Sequence, residues 1–396
     1  MTIKPHFNML KRLKVVIAIS GGVDSSAAAF LLQKQGYEVI GMFMRLAPLD
    51  SSPCGIEDNI QQDKYLTGLG VDKQQESEDA ARRVCQKLGI KFYPINLARQ
   101  FKKEVIDYFL NSYVRGLTPN PCVKCNQVIK FGYLLEQAKK TGADFLATGH
   151  YVQNSKFKIL RQLADSKFIY KLFRGKDKDK DQSYFLYNLT QEQLARVLFP
   201  LGGYTKIQVK KIANKAEMPY LKKESQDICF LTGDHNDFLK KHLNLKSGKI
   251  KILDGKIVGE HQGLPLYTIG QRKGVEIGGI GPFYVAKCDY KANTLYVVKD
   301  CDDPVLYSNK LIAENVNWIS GKEPKLPLQC EAVIRYHHQP VKCIVVVGTG
   351  HCPVQQNNRR KYLIKFKKPQ RAVTPGQSVV LYQGDEVLGG GIISNL

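Results

Sequence analysis

One tryptophan in 396 residues, no acidic surplus and no long apolar run are the first features of this chain. No stretch approaches the roughly 18 consecutive apolar residues that a membrane span requires, which excludes an integral helical membrane protein. The basic opening, Met1–Lys14, carries no acid and so has a trace of a transit peptide, but the first strand follows at once with no apolar core or cleavage site before it, so it reads as a short solvated arm. The ten cysteines are irregularly spaced in a long chain, unlike a secreted disulfide scaffold; this predicts a reducing, cytoplasmic setting in which clustered cysteines mean catalysis or metal. No internal repeat is found. What the chain has in excess is positive charge: 59 Lys and Arg against 36 Asp and Glu, a formal net charge of +23. Such a surplus favours a polyanionic partner. The length predicts two or three domains at roughly 150 residues each.

The first half alternates strand and helix patterns: strands at Val15–Ile19, Glu38–Met44, Ile90–Ile95 and Ala143–Thr148, helices at Ser25–Gln35 and Ser77–Leu88. That rhythm predicts an α/β domain built on a parallel sheet, with ligands at the carboxyl ends of its strands. Cys85 falls on the apolar stripe of its helix and reads as core. Pro48–Gln75, which includes Cys54, reads as an insertion or loop, and Gly175–Gln182 as an exposed loop. Thr190–Leu245 is mostly helical in pattern. From about Gly248 the period becomes two, and Asp254-Gly255 between apolar runs marks a hairpin. Further strands are expected at Thr294–Val298, Cys330–Tyr336, Val341–Val347, Lys361–Phe366 and Ser378–Tyr382. The expected architecture is an α/β domain with a helical extension over 1–230, a small β-rich domain over 231–305 and a C-terminal β-barrel over 306–396. Cys288, Cys301, Cys330, Cys343 and Cys352 read as packing residues of that β-rich half.

Two stretches carry chemistry. Ser20-Gly21-Gly22-Val23-Asp24-Ser25-Ser26 joins a buried strand to a helix. Its glycines allow a tight turn, and the helix N-terminus offers N–H donors to a phosphate. Ser25 and Ser26 could donate to phosphate, and Asp24 could hold Mg²⁺ or orient the loop. There is no Gly-Lys-Ser/Thr, so it is not a Walker loop. The second stretch is Thr118–Asn126, with Cys122 and Cys125 in a Cys-x-x-Cys arrangement. Asn126 reads as a helix N-cap, which would place Cys125 at a helix N-terminus with a lowered pKa. By itself the pair is compatible with redox, zinc or iron–sulfur chemistry; no second Cys-x-x-Cys or spaced His pair completes a zinc knuckle.

The glycine loop resembles that of the ATP pyrophosphatases (PP-loop enzymes). With Gly41–Met44, Thr118–Asn126, Ile129-Lys130-Phe131, Ala147–Tyr151, Lys180–Leu186, Asp227–Phe230, Gly259–Gly263, Tyr267–Gly274, Ile334–Tyr336 and Thr374–Gln377, the chain resembles the bacterial-type tRNA-specific 2-thiouridylases over nearly its whole length. The resemblance implies ATP- and Mg²⁺-dependent thiolation at C2 of the wobble uridine, position 34 of tRNA. It implies ATP binding by Ala18, Ile19, Ser20, Gly21, Gly22, Val23, Asp24 and Ser25, and by the backbone near Met44 and Gly149. Cys125 matches the nucleophile and Cys229 the cysteine of the persulfide sulfur. Asn120, Pro121 and Cys122 would lie against the target base, and Lys180, Asp181, Gln182, Arg335 and Tyr336 would touch tRNA. A sulfur-donor protein or sulfide is the further partner implied. One position departs from the best-known pattern: Cys122 stands where an acidic residue, the proposed general acid/base, is found. Cys122, Cys125 and Cys229 then form a set that could instead hold a [4Fe–4S] cluster. His150 reads as a structural hydrogen-bonder beside the ATP site. The run Arg359-Arg360-Lys361, Lys365, Lys367-Lys368 and Arg371, interleaved with Tyr362 and Phe366, reads as an RNA-facing strand pair. Two other readings are an adenylating enzyme with a small-molecule substrate and a non-catalytic RNA-binding protein.

Overall fold

A run of apolar residues short enough for one strand, KVVIA, forms the centre of the first sheet. The computed structural model describes residues 12–47, 71–159, 167–222, 228–231, 233–275, 277, 282–348 and 360–394. Strand β1 (Lys14–Ala18) lies between β2 (Glu38–Arg45) and β4 (Phe145–Ala147), with β3 (Lys91–Asn96) and β7 (Val197–Leu198) at the edges. All four pairings are parallel. Successive side chains of β1 face opposite ways. Val15 and Ile17 pack with helices α1 (Val23–Lys34) and α2 (Val71–Leu88), and Val16 packs with Phe131, Leu134 and Leu146. The strand order β3-β2-β1-β4-β7 reverses direction between β1 and β4, which opens a crevice at their carboxyl ends.

Helix α2 begins at Val71, six residues before the expected Ser77. Ser77 therefore caps nothing, and its hydroxyl donates to the Lys73 carbonyl inside the helix. The early turn forms because the Gln74 Oε1 accepts from the backbone amides of Leu46 and Ala47, at 2.7 and 2.8 Å, tying the helix to the end of β2. The expected insertion thus loses residues 71–75 to the helix; residues 48–70, with Cys54, lie outside the described residues. Cys85 is buried against Gly41, as expected of a core residue.

The same helix carries Glu78, 1% exposed, whose carboxylate takes two hydrogen bonds of 2.7 Å from Arg45 and one of 3.2 Å from Arg82. The Arg45 contact holds the Glu78 carboxyl below its ordinary value. Its contribution to stability is therefore present above the unfolded carboxylate pKa and lost as pH falls through the lowered folded value. Glu78→Ala leaves the Arg45 guanidinium without its counter-charge and is expected to cost roughly 3 kcal/mol, measured by denaturant unfolding at pH 7, with the difference from wild type shrinking toward pH 3.

The central domain is the expected period-two region. β8 (Gly248–Ile252) and β9 (Ile257–His261) form a hairpin through Asp254-Gly255, with Gly255 at φ +94°. β10 (Tyr284–Asp289) and β11 (Thr294–Val298) complete a four-stranded sheet in the order β10-β11-β8-β9. Beyond it, β12 (Tyr307–Trp318), β15 (Tyr362–Arg371), β14 (Val341–Val347), β13 (Leu328–Val333), β16 (Ser378–Gln383) and β17 (Glu386–Ser394) follow one another in space. A β12–β17 pairing closes them into a six-stranded barrel.

The barrel does not consist of C-terminal residues alone. A hairpin from the first half, β5 (Val152–Ile159) and β6 (Lys167–Arg174), joins its sheet where Leu172 and Phe173 pair with Val387 and Glu386 of β17. Within 190–245 the described helices Gln191–Leu194, Lys206–Lys215 (α3) and His235–His242 agree with the helical pattern, and β7 interrupts it. No helix among the described residues is long and apolar enough to cross a membrane.

Cys330 and Cys343 are buried in the barrel, facing each other across β13 and β14 with sulfurs 3.6 Å apart. Cys288 is half-buried. Cys301 departs from the packing expectation: it lies exposed in the turn before Pro304. Cys352 lies outside the described residues. In the basic strand β15, Tyr362 and Phe366 point into the barrel core while Lys365, Lys367 and Lys368 face outward. The aromatics there serve packing and the lysines form the exposed face. Arg360 and Lys361 pair with Glu323 and Glu314, and Arg359 lies outside the described residues.

Candidate active site

The glycine loop comes directly after β1 and turns at Gly21, whose φ of +79° suits a residue without Cβ. A Cβ there would stand 2.5 Å from the Ser77 carbonyl oxygen of α2. Gly22 is the N-cap of α1 and supplies no capping side chain, so the first-turn amides of Val23, Asp24 and Ser25 are left open to an anion. The serine hydroxyls are turned inward. Ser25 Oγ donates to the Gly22 carbonyl at 3.1 Å and accepts from the Ser20 amide at 3.1 Å, and Ser26 Oγ donates to Gly22 at 2.9 Å. They shape the loop, and the backbone faces the crevice. Gly149, just beyond β4, packs so closely that a Cβ would lie 3.2 Å from the Ser25 amide nitrogen. Ala18 to Ser25 and Gly149 are thus brought together around one helix N-terminus, and Met44 is the last residue but one of the neighbouring strand β2.

Asp24 turns sideways from the loop. Both carboxylate oxygens lie 2.7 Å from the Lys206 ammonium, and one also accepts from the Tyr151 hydroxyl at 2.7 Å. Of the two roles open to Asp24, this geometry serves loop orientation; Mg²⁺ would arrive on the polyphosphate, where it retains much of its water shell. Lys206 opens α3 far along the chain and carries no local motif, which is why sequence reasoning missed it.

The cysteine segment is gripped from both sides. The Thr118 amide donates to the Pro375 carbonyl (2.9 Å) and Gln377 donates to the Thr118 carbonyl (3.0 Å), while Thr118 Oγ1 meets Thr268 Oγ1 at 3.4 Å. Barrel and central domain therefore both position the Asn120–Cys125 turn. The helix begins earlier than expected: Asn120 is the N-cap, accepting from the Val123 amide at 3.2 Å, with Pro121 at the first helical position. Asparagine preceding proline is the stronger start signal and displaces Asn126 from that role. Asn126 is instead buried and donates to the Phe185 carbonyl.

Cys122 thus lies in the first turn, and Cys125 begins a ten-residue π-helical stretch, Cys125–Leu134, that passes into Leu135–Lys140. This corrects the expected thiol chemistry. Cys125 is buried, and burial pushes its thiol up to about 12, opposed by the charge of Lys130 and reinforced by the nearness of Cys229 and Cys122. Crowding by protein also raises the Cys229 thiol, although that residue is exposed to solvent. Cys122 and Cys229 both lie near enough to Cys125 to act on its thiol, and none of the three is in a disulfide. They do not all lie within 4.8 Å of one another, too open for a single metal ion; the one set of metal-capable groups that close among the described residues is the exposed Asp300, Cys301 and Asp302.

His150 borders both halves of the site. Its Nδ1 lies 2.8 Å from Thr148 Oγ1, its Nε2 lies 3.5 Å from the Lys130 ammonium, and burial together with the Lys130 charge keeps the ring neutral. The expected tRNA-facing residues divide. Lys180 is exposed. Asp181 is 6% exposed and accepts from the Gly175 amide and from the amide and hydroxyl of Ser183, bracing a loop whose ends are buried rather than exposed throughout. Gln182 accepts from the Tyr151 amide and so connects that loop to the Asp24 network. Asp181 and Tyr336 line one depression of about 450 Å³ with Arg174 and Lys178. Arg335 lines another of about 350 Å³ with Thr118, Gln271 and Gln377, where all three domains meet.

Family models cover the chain in three consecutive parts. They are described as a tRNA methyl transferase HUP domain over residues 13–233, a tRNA methyl transferase PRC-barrel domain over 236–299 and an aminomethyltransferase beta-barrel domain over 308–393. A tRNA-specific 2-thiouridylase of Geobacillus thermodenitrificans is 42% identical over 386 residues, 97% of this chain and 95% of that protein. Those of Coxiella burnetii and Colwellia psychrerythraea are each 41% identical, covering 96% and 98% of this chain and 98% and 97% of their own length. Matched in its three domains and end to end, the chain belongs to the tRNA-specific 2-thiouridylase family.

Proposed function

We propose that this chain transfers sulfur to C2 of the wobble uridine of tRNA, with ATP bound at Ala18–Ser25, Met44 and Gly149. The observation that supports the reading is that two thiols remote in sequence, Cys125 and Cys229, are near enough to act on one another and both feel the charge of Lys130, with Cys125 in a core that packs against Met44 and Ile95 of the parallel sheet. ATP adenylates the C2 oxygen of the flipped-out base and pyrophosphate leaves, its charge met by the open amides of α1. A persulfide on Cys125 then attacks C2 with its outer sulfur, and the C2–O bond breaks to release AMP. Cys229 attacks the Cys125 sulfur, frees the thiolated base and closes a Cys125–Cys229 disulfide, which a cellular reductant reopens. The outer sulfur of the persulfide is passed from a persulfide on a donor protein, whose thiol is left behind; sulfide is the donor only in the cluster version below. Asn120, Pro121 and Cys122 border the base; Lys180 and Gln182, on the loop that Asp181 braces, meet the RNA together with Arg335 and Tyr336 of the barrel. The reducing chemistry fits the cytoplasm. The proposed domain limits are 1–230, 231–305 and 306–396.

Mass spectrometry of position-34 uridine, after incubation of tRNA with the protein, ATP and a sulfur source, tests the reading: replacement of oxygen by sulfur is expected, and an unmodified uridine overturns it. The Cys122, Cys125 and Cys229 set supports a second version, in which these thiols hold a [4Fe–4S] cluster. Anaerobic purification separates the two: stoichiometric iron and acid-labile sulfide identify the cluster, and full thiolation without them leaves the persulfide route. The outward lysines of β15 predict steep salt dependence. Raising salt from 50 to 200 mM should weaken tRNA binding about 100-fold or more, and charge reversal at Lys365, Lys367 and Lys368 should flatten that slope.

A further inference from the structure

The π-helical stretch changes which residues share a face with Cys125. In an α-helix, five residues turn the chain by 100° each, so residue 130 would point about 140° away from residue 125. A π-helix closes its hydrogen bonds over five residues, which lowers the turn to roughly 82° per residue and returns position 130 to within about 50° of position 125. Lys130 thereby comes onto the face of the reactive sulfur. Its charge is felt at both Cys125 and Cys229, and its ammonium lies 3.5 Å from His150 Nε2.

Lys130 is half-buried, and among the described residues it has no carboxylate partner. The neighbour its ammonium meets at 3.5 Å is the His150 ring, which burial keeps neutral. Among the described residues this partly buried cation therefore has no counter-ion, and a cation so placed favours an anionic ligand. Its position says which anion completes it. His150 adjoins Gly149, which packs against Asp24 and the Ser25 amide at the start of α1. Lys130 is thus one side chain from the phosphate-facing helix end and on the same face as the sulfur.

We propose that Lys130 binds a phosphate, the adenylyl phosphate of the nucleotide, and holds it beside Cys125. When sulfur attacks C2 and the C2–O bond breaks, the electron pair moves onto the phosphate oxygen, and the ammonium stabilises that charge without giving up its proton. This inference rests on the reading that ATP occupies the glycine loop.

The test is calorimetric binding of AMP and of adenosine to wild type, Lys130→Met and Lys130→Arg, with tRNA affinity measured alongside and thermal unfolding confirming the fold. Lys130→Met is expected to weaken AMP at least about 10-fold, the loss of one charge-assisted hydrogen bond, and to leave adenosine within about two-fold. Lys130→Arg should restore most of the AMP affinity. Unchanged AMP binding in Lys130→Met, or equal weakening of AMP and adenosine, would overturn the assignment. Weaker tRNA binding with AMP unaffected would mean that the phosphate is the RNA's, and overturns it too. An ATP titration of wild type separates the two failures: no ATP binding fails the underlying reading, whereas ATP binding together with AMP binding unaltered in Lys130→Met fails this inference alone.

Discussion

Cys125→Ser is expected to lower thiolation by about 10³-fold or more while tRNA affinity stays within about two-fold of wild type. The oxygen of serine cannot carry a transferable sulfur, so the step is removed rather than slowed. The fold should persist. Cys125 packs among Phe101, Ile129 and Phe230, and serine is close to it in volume, so the cost is that of burying one hydroxyl, about 1–2 kcal/mol. Quantifying thiolated uridine and measuring filter-bound tRNA on the same preparation checks both halves; thiolation that survives the substitution would remove Cys125 from the reaction. Cys229→Ser is the informative companion. Without the second thiol the base stays joined to Cys125 through a disulfide, so tRNA should accumulate as a protein adduct that thiol reductants release.

Gly21→Ala should nearly eliminate ATP binding, weakening it by about 100-fold, and lower stability by about 2–3 kcal/mol. Two causes act together: φ of +79° and a new Cβ 2.5 Å from the Ser77 carbonyl oxygen. The obstacle is backbone, which cannot rotate aside as a side chain would. The Gly21 carbonyl also accepts from the Leu221 amide at 2.9 Å, so a shift there pulls on the segment leading towards Cys229. Gly22→Ala provides the control: φ is −84° and the nearest atom to its Cβ is the Ser20 hydroxyl at 3.7 Å. That variant should fold with wild-type stability. Denaturant unfolding and nucleotide titration on the pair separate loop distortion from loss of the site, and equal behaviour of the two variants would contradict the geometry.

Local signals explain what is legible in the residues alone. Apolar runs such as Val15–Ile17 and the glycine turn after them place the parallel sheet and the phosphate loop, because strand burial and turn chemistry are written in neighbouring residues. Asp254-Gly255 does the same for the central hairpin. Whatever depends on a distant partner stays hidden. The early start of α2 depends on Gln74 meeting the end of β2, and Asp24 is oriented by Lys206 from another helix. A helix start at Asn126 implies a lowered Cys125 thiol, whereas the burial that raises it comes from the tertiary fold. The π register is invisible for a different reason: a 3.6-residue period sends Lys130 to the wrong side.

The hairpin Val152–Arg174 has a consequence for how the molecule is made. Lys171 grips Glu386 across 215 residues of chain, and the strands beside them pair only when β17 exists. On the ribosome the hairpin emerges long before its partner and presents an unpaired edge until translation is nearly complete. Halting synthesis before the last strand, or cutting the gene at the apparent junctions, would leave that edge bare and invite self-association. The parallel-sheet half and the barrel are therefore heritable as one unit, since neither can be exchanged without finding a new mate for the other's border.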